Sequence, residues 1–547
     1  MRISPAIVRC LSQGPRRLWQ KKYVPSNFVF LASAGLMYAW FSYQLLRTVG
    51  NIAIGPDAWS LIDVARSIQN GTFPQIQAVR QFKMIDHMFV NTAFPPLTPL
   101  LLALHGSEGA WAFAIVRQSI LIALALPVPL FFALKRIFNP IESTFTVLLT
   151  TVAVLSYAPY REDVVINGTM SLSVFLLCSA FAVLLSRQTG LKEAATLGLL
   201  MGLNCLNRTD GLPLAGVMLV GVFCVSGFRL RTALIYFGTF LVTMSPWIAF
   251  SKLYFGVFLI SDNLTVAWAI SDHILQIHGK YTDNFMELLK AKTSNLLRFL
   301  IACAHDIYYT KSLLILAAAT MWSLLSTPSA QIFRNPRIWI LLVAAASVVG
   351  ATATGYVWDT RYISPLIVAT ALIGCAGLSE CTRRLEYERC IAQFAQFSCL
   401  ALIGLTLLKI SFEPSFDPWR SKWSQKSADE IQRALRALQP SEILFYQFEN
   451  SPRVFFAINP SGSLAAYAET FRIGALGNIH PIPQPIDWNV LAYDEQQSLF
   501  RTFRVEFVVG TCAVGQAPAF VMSLSGYEGC LYSVDNWLLR LRENGSG

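Results

Sequence analysis

Asp57 opens the stretch "PDAWSLIDVARSIQNGTFPQ", just after a hydrophobic run long enough to cross a bilayer. A carboxylate placed there has two uses. It can take the proton of an alcohol while the oxygen forms a new bond, a form of base catalysis that contributes about 10²- to 10⁴-fold. It can also cap a helix, because Ala58, Leu61, Ile62, Ala65 and Ile68 recur behind it at helical spacing. Arginine supplies the complementary chemistry, since its planar fork donates two parallel hydrogen bonds to a phosphate. Arg208 in "NRTDG" and Arg361 in "WDTRY" are the leading positions, followed by Arg117, Arg161, Arg80, Lys83 and Lys280. Arg208 and Arg361 have a second reading as interfacial anchors paired with Asp210 and Asp359.

Weaker candidates surround these. Glu162 and Asp163 lie in "YREDVVING", which reads either as a solvated helix cap or as a second wall of a cleft. Asp86-His87 could touch an acceptor, but one acid-histidine pair in a loop is more often a local turn, and neither is assigned as a metal ligand. Asp63 and Arg66 read as the solvated face of the helix that follows Asp57. His273, His278 and Lys280 read as solvated residues of a long outer loop. The chain holds no CxxC, Cys/His cluster or DxD motif, which leaves a divalent metal as an open question.

The elements that position these residues are membrane helices. The chain of 547 residues is 54% hydrophobic and 14% charged, with mean hydropathy +0.48, values that exclude an ordinary soluble enzyme. A span needs ~20 mostly apolar residues. Candidates fall at 27–47, 110–134, 142–159, 164–186, 192–206, 212–227, 231–253, 312–326, 337–355, 362–379 and 395–411, about eleven in all. The net charge of +11 does not mark a nucleic-acid binder, because its basic residues cluster between apolar runs. Arg16, Arg17, Lys21 and Lys22 precede the first span. Lys135/Arg136, Arg187/Lys192, Arg229/Arg231, Arg334/Arg337 and Arg383/Arg384/Arg389 then fall at every second connection, as cytoplasmic loops should. The opposite side receives residues 48–109 with their interfacial helices, "YREDVVING", "NRTDG", 254–311, "WDTRY" and everything after 411. Asp57, Arg161, Arg208 and Arg361 should therefore converge outside the cytoplasm.

The expected division is a transmembrane domain over 1–410 and a small extracytoplasmic α/β domain over 411–547. In the latter, Ser427 to Glu430 forms a capping box, and "EILFYQF", "VEFVVG" and "CLYSVDNWLLRL" have strand character. Of the eleven cysteines, only Cys512 and Cys530 share this polar tail. In an oxidising compartment they could form a disulfide; the alternative is two reduced, buried thiols.

The membrane half resembles the GT-C superfamily of polytopic glycosyltransferases, in particular the branch of lipid-A aminoarabinose transferases and protein O-mannosyltransferases. The features that carry the resemblance are Asp57 with "WSLIDVARSIQNG", then "FPPLTPLLLAL", "LLMGLNCLNRTDGLPLAGVMLV" and "TRYISPLIVATALIGCAGL". One departure is that Ala58 stands where many relatives carry a second acid. The resemblance implies a sugar donor on polyprenyl phosphate, a protein, glycan or lipid acceptor, and inversion at the anomeric carbon. It implies Asp57 as base and Arg208, Arg361, Arg117, Arg161 and Lys83 as candidate phosphate ligands. Glu162, Asp163, Asp86, His87 and Tyr362 are weaker candidates for substrate contact. Aminopentose, pentofuranose and hexose donors are not separable from the sequence. The expected location is a bacterial inner membrane with a periplasmic site, although matches such as Asn70-Gly71-Thr72 keep the endoplasmic reticulum as the less favoured option. The competing function is a transporter or flippase for an anionic lipid-linked substrate, which should show related halves; no such pair is evident.

Overall fold

The computed structural model describes residues 24–48, 56–73, 82–85, 88–91, 95–107, 110–135, 140–166, 168–185, 190–255, 284–309, 336–354, 360–381, 386–412 and five strands between 454 and 541. Helix α1 (Val24–Thr48) leads to α2 (Pro56–Gln69), and a hairpin, β1 (Phe82–Ile85) and β2 (Met88–Asn91), precedes α3 (Leu97–Ala103). Next come α4 (Trp111–Leu124), α5 (Pro127–Leu134), α6 (Pro140–Ser156), α7 (Ala158–Ile166) and α8 (Met170–Leu184). The bundle continues with α9 (Leu191–Asn207), α10 (Gly211–Val225), α11 (Leu230–Phe255), α12 (Phe285–Tyr309) and α13 (Pro336–Thr354). A 3₁₀ turn (Thr360–Ile363) then enters α14 (Ser364–Cys381), and α15 (Glu386–Phe412) follows.

Four helical runs are long and apolar enough to span a membrane: Val29–Arg47, Phe113–Leu134, Leu230–Leu253 and Thr360–Ser379. Ser143–Ser156 and Ala158–Val165, bent by 79° at their junction, make a fifth if taken as one broken span. Met170–Leu184, Gly211–Val225, Pro336–Gly350 and Gln393–Leu408 are apolar but shorter. The expected 192–206 span is helix α9, which carries Lys192 and Glu193 in its first turn, and 312–326 lies outside the described residues. Length and composition thus support an integral membrane protein with four or five full spans among the described residues, which do not confirm the expected count of about eleven. Outward side chains such as Leu36, Val242, Leu253 and Phe397 are exposed, as suits surfaces that meet hydrocarbon.

Small residues set how closely the helices approach. A Cβ at Gly198 of α9 would lie 2.3 Å from the Tyr236 carbonyl oxygen of α11, and one at Gly202 would lie 2.7 Å from Thr243 Cβ. These two glycines, four apart, let the backbones meet without intervening side chains. Tyr236 then donates from its hydroxyl to the Ala215 carbonyl of α10 at 2.8 Å, joining the third helix of this group.

Two sequence expectations are corrected here. "YREDVVING" is not a solvated cap; it is mostly the helix α7, folded back from α6, with Arg161 and Asp163 buried and Glu162 half-buried. The helix after Asp57 has no broad solvated face: Asp57, Ser60, Asp63 and Ser67 are all buried, and Arg66 is half-buried. Periodicity misleads there because α2 packs between α3 and α4, so its polar positions are covered as well as its apolar ones.

The C-terminal strands β3 (Val454–Ile458), β4 (His480–Pro483), β5 (Val505–Gly510), β6 (Tyr527–Ser533) and β7 (Asn536–Leu541) form one sheet in the order β4-β3-β5-β7-β6. "VEFVVG" is β5, while "CLYSVDNWLLRL" divides into the antiparallel pair β6 and β7. Pairing of β3 with both β4 and β5 is parallel, which requires crossover connections. The intervening residues, the expected capping box, "EILFYQF" and Cys512 lie outside the described residues; Cys530 is placed in β6.

Candidate active site

The first turn of α2 brings Asp57 into the protein. The helix begins at Pro56, whose ring suits the first helical position, so Asp57 sits inside the first turn and not at the cap. Its Oδ2 accepts a hydrogen bond from Nη2 of Arg361 at 2.6 Å, across 304 residues of sequence. The other terminal nitrogen of Arg361, Nη1, donates to Oδ1 of Asp163 at 2.9 Å. One guanidinium therefore joins two carboxylates, with side-chain exposures of 7% for Arg361, 8% for Asp57 and 0% for Asp163.

Local folding fixes each end of this bridge. Gly168, at φ +67°, turns the chain between α7 and α8, and its amide donates to the Asp163 carbonyl at 2.6 Å. The Asp163 carboxylate then accepts from the Thr169 amide at 3.1 Å, the Thr169 hydroxyl at 2.8 Å and the Met170 amide at 2.7 Å. An anion at the start of α8 also meets the positive end of the helix dipole. On the far side, Tyr157 at the α6–α7 bend donates to the Thr360 carbonyl at 2.9 Å, and the Ser364 hydroxyl donates to the Arg361 carbonyl. The 3₁₀ turn that carries Arg361 is thus tied to the bend from which α7, the helix that carries Asp163, begins.

Arg208 stands beside this group, immediately after α9. Its Nε points at both oxygens of Asp210 at 3.1 Å each, and its guanidinium lies over the Tyr362 ring at 4.6 Å. Arg361 lies 5.3 Å from the centroid of the same ring. Two cations thus share one aromatic ring, a favourable setting when partly dehydrated. Asn207, the residue before Arg208, accepts from the Thr98 hydroxyl of α3, so α3 is tied to the Arg208 turn.

No protein-family model matches the chain, and no curated protein matches it in sequence. Solved structures do match its shape. The apo oligosaccharyltransferase of Archaeoglobus fulgidus is similar with a TM-score of 0.54 over 93% of this chain and 73% of its own, at 13% identity. ArnT from Cupriavidus metallidurans, bound to undecaprenyl phosphate, is similar at 0.53 over 95% of this chain and 98% of its own, at 12% identity. Mycobacterial arabinofuranosyltransferase AftD is similar at 0.51 over 94% of this chain, 42% of its own, at 12% identity. The chain shares its fold with these three solved structures.

Within this fold the expected site residues separate into groups. Asp57, Asp163, Arg361, Arg208 and Tyr362 form one connected cluster. Arg161 is buried in α7, where its Nη1 donates to the Ser156 carbonyl at 3.3 Å. Arg117 is engaged elsewhere, near His105 Nδ1 at 3.5 Å and over the Phe113 ring at 5.3 Å. Lys83 belongs to β1 and pairs in register with Val90; its side chain, Asp86 and His87 lie outside the described residues.

Sequence patterns rank Asp163 too low and give Thr169 no place as a structural partner of the cluster, whereas the expected pairing of Arg208 with Asp210 is present. The Asn-Gly-Thr after α7 is an available signal, because a left-handed glycine followed by free helix amides calls for a nearby acceptor. Pairing of Arg361 with Asp57 and Asp163 leaves no such local trace. Among the described residues no three His, Cys, Asp or Glu side chains converge on a common point. The cation between Asp57 and Asp163 is the guanidinium itself.

Proposed function

We propose that the protein is an integral-membrane glycosyltransferase that moves a sugar from a polyprenyl-phosphate donor to a hydroxyl acceptor outside the cytoplasm. The observation that carries this reading is the Asp57–Arg361–Asp163 cluster beside Arg208, set within a GT-C fold. The similar ArnT structure is bound to undecaprenyl phosphate, and a further structure of the Archaeoglobus oligosaccharyltransferase is tethered to an acceptor peptide. A lipid-phosphate donor and an extracytoplasmic acceptor are therefore the partners assigned to this chain by proposal.

In the proposed reaction Asp57 takes the proton of the acceptor hydroxyl while its oxygen bonds to the anomeric carbon. The bond between that carbon and the phosphate oxygen breaks, and the lipid phosphate leaves as a dianion. In-line attack inverts the sugar. Arg208 and Arg361 stabilise the charge that develops on the leaving phosphate, and a buried setting makes this worth more than it would be in water. Arg161 and Glu162 shape the wall on the α7 side. Placement of the basic clusters supports a site on the outer face, periplasmic in a bacterial inner membrane, with residues 411–547 forming an α/β domain on that side.

The test is a panel of synthetic polyprenyl-phosphate aminopentose, pentofuranose and hexose donors supplied to detergent-purified protein with envelope acceptors. Mass spectrometry should detect free polyprenyl phosphate together with a glycosylated acceptor. A transporter needs two compartments and gives neither product in detergent. Repetition with chelator measures any dependence on a divalent metal.

A further inference from the structure

Helix α12 buries polar groups where packing alone calls for apolar ones. Its buried and half-buried stripe runs through Leu288, Lys292, Asn295, Phe299 and Cys303, while Phe285, Met286, Leu297 and Ile301 are exposed. The helix packs against α13 and against the 3₁₀ turn that carries Arg361. Lys292 and Asn295 stand three residues apart on this inward face, a spacing that makes their side chains neighbours, about 5–6 Å apart at Cβ.

Both groups donate hydrogen bonds. Asn295 is 6% exposed, and its buried Nδ2 has no hydrogen-bond partner among the described residues. A buried donor in that state carries the cost of its lost hydration, so it calls for an acceptor. Lys292 is half-buried, and burial lowers its ammonium to about 8, so the fold disfavours its charge. Neither α13 nor the turn Thr360–Ile363 contains an acidic residue. An oxyanion brought to this face would accept from the Asn295 amide and favour the charged lysine at once. Ionisable groups perturbed in this way concentrate at functional sites.

We infer that Lys292 and Asn295 form a subsite for an oxyanion, phosphate or carboxylate, carried by the acceptor. The choice of acceptor over donor follows from charge. A polyprenyl-phosphate sugar is a phosphodiester with one negative charge, and the proposed reaction already gives that charge to Arg208 and Arg361. A second anion must come with the other substrate. Helix α12 also belongs to the segment assigned to the outer side, from which the acceptor approaches. The inference deepens the function proposed above and rests on it.

Two measurements on the full-length protein in detergent test this. The first uses inorganic phosphate as the probe. Acetylation of Lys292 by N-hydroxysuccinimidyl acetate at a pH of about 8, read by mass spectrometry, should be about twofold slower once phosphate reaches its Kd than in chloride of equal ionic strength. Asn295→Leu should remove most of that protection. The second uses the acceptor that the donor panel identifies, which should carry a phosphate or carboxylate. Lys292→Met should raise the KM for this acceptor about tenfold or more, the scale of one charge-assisted hydrogen bond, while the donor KM stays within about threefold. With that group converted to an uncharged ester, the acceptor KM of the two proteins should agree within about threefold. Removing a half-buried ammonium spares the fold its desolvation, so misfolding does not imitate this selective change. Equal acetylation in the two salts, a neutral acceptor, or a rise in donor KM instead overturns the subsite, while wild-type turnover keeps the glycosyltransferase reading intact. Absence of turnover with every donor overturns that reading, and the assignment to an acceptor with it.

Discussion

Replacing Arg361 by Met should destabilise the protein more than any single change at its carboxylate partners. The guanidinium is bonded at 2.6 and 2.9 Å to two buried carboxylates, so its loss deprives both of the same cation. At an effective dielectric of about 20 each pair represents about 4 kcal/mol of gross attraction, much of it offset by desolvation. Removal of one partner from a buried pair costs about 3–5 kcal/mol because it leaves a charge behind. Arg361→Met should therefore lose at least about 4 kcal/mol. Asp57→Asn keeps an acceptor for Nη2 and leaves Arg361 neutralised by Asp163, so its loss should be about 1–2 kcal/mol. The double variant strands only Asp163, which retains its three bonds from Thr169 and Met170. Its loss should fall short of the summed single losses by at least about 1.5 kcal/mol. Denaturing-detergent titration of the purified proteins, followed by intrinsic tryptophan fluorescence, measures all four corners of this cycle. Strict additivity, or an Arg361→Met variant as stable as the wild type, would refute the shared-cation account.

Turnover of Asp57→Asn should fall about 10²- to 10⁴-fold with the donor and acceptor found in the panel, as expected for loss of a general base; activity within a factor of about three of wild type removes Asp57 from that role. Gly202→Leu should destabilise by about 1–3 kcal/mol or more, because its Cβ alone would lie 2.7 Å from Thr243; Gly216→Ala, with open space at its Cβ, is the control and should be near neutral. Lys292, on α12 in the segment assigned to the outer side, has its ammonium lowered to about 8 by burial. Its folded value lies below the usual lysine range, so the fold disfavours the charged form, and this cost grows as pH falls from about 10.5 to 8 and is constant below. Lys292→Met should accordingly raise stability at pH 7 and leave it unchanged near pH 10.5, as read from unfolding midpoints at the two pH values.

Much of the bundle is legible in the chain because lipid and water impose different compositions on neighbouring segments. Runs such as 231–253 and 362–379 announce themselves by apolar length, and nearly every expected span coincides with a helix in the described residues. The glycines of "LLMGLNCLN" likewise show where two helices can approach closely, as Gly198 and Gly202 do against α11. Local signals fail where burial is collective. Asp63 looks solvated by periodicity and is buried because α3 and α4 cover its helix. The acids and arginine of "YREDVVING" look like a charged rim, and α7 folds them inward at a 79° bend.

Residue types alone determine that this chain lives in a membrane and that carboxylates and guanidiniums recur near the ends of its apolar runs. They do not determine partners. Asp57 and Arg361 are separated by 304 positions, and Asp163 and Arg361 by 198, distances over which neither hydropathy nor helical spacing carries information. Tertiary packing decides that one guanidinium answers two acids and that Arg208 and Arg361 lie over one tyrosine ring. The physical reason is the cost of burying charge: a carboxylate drawn out of water needs a cation at hydrogen-bond range, and only the folded bundle can bring that cation from the far end of the chain.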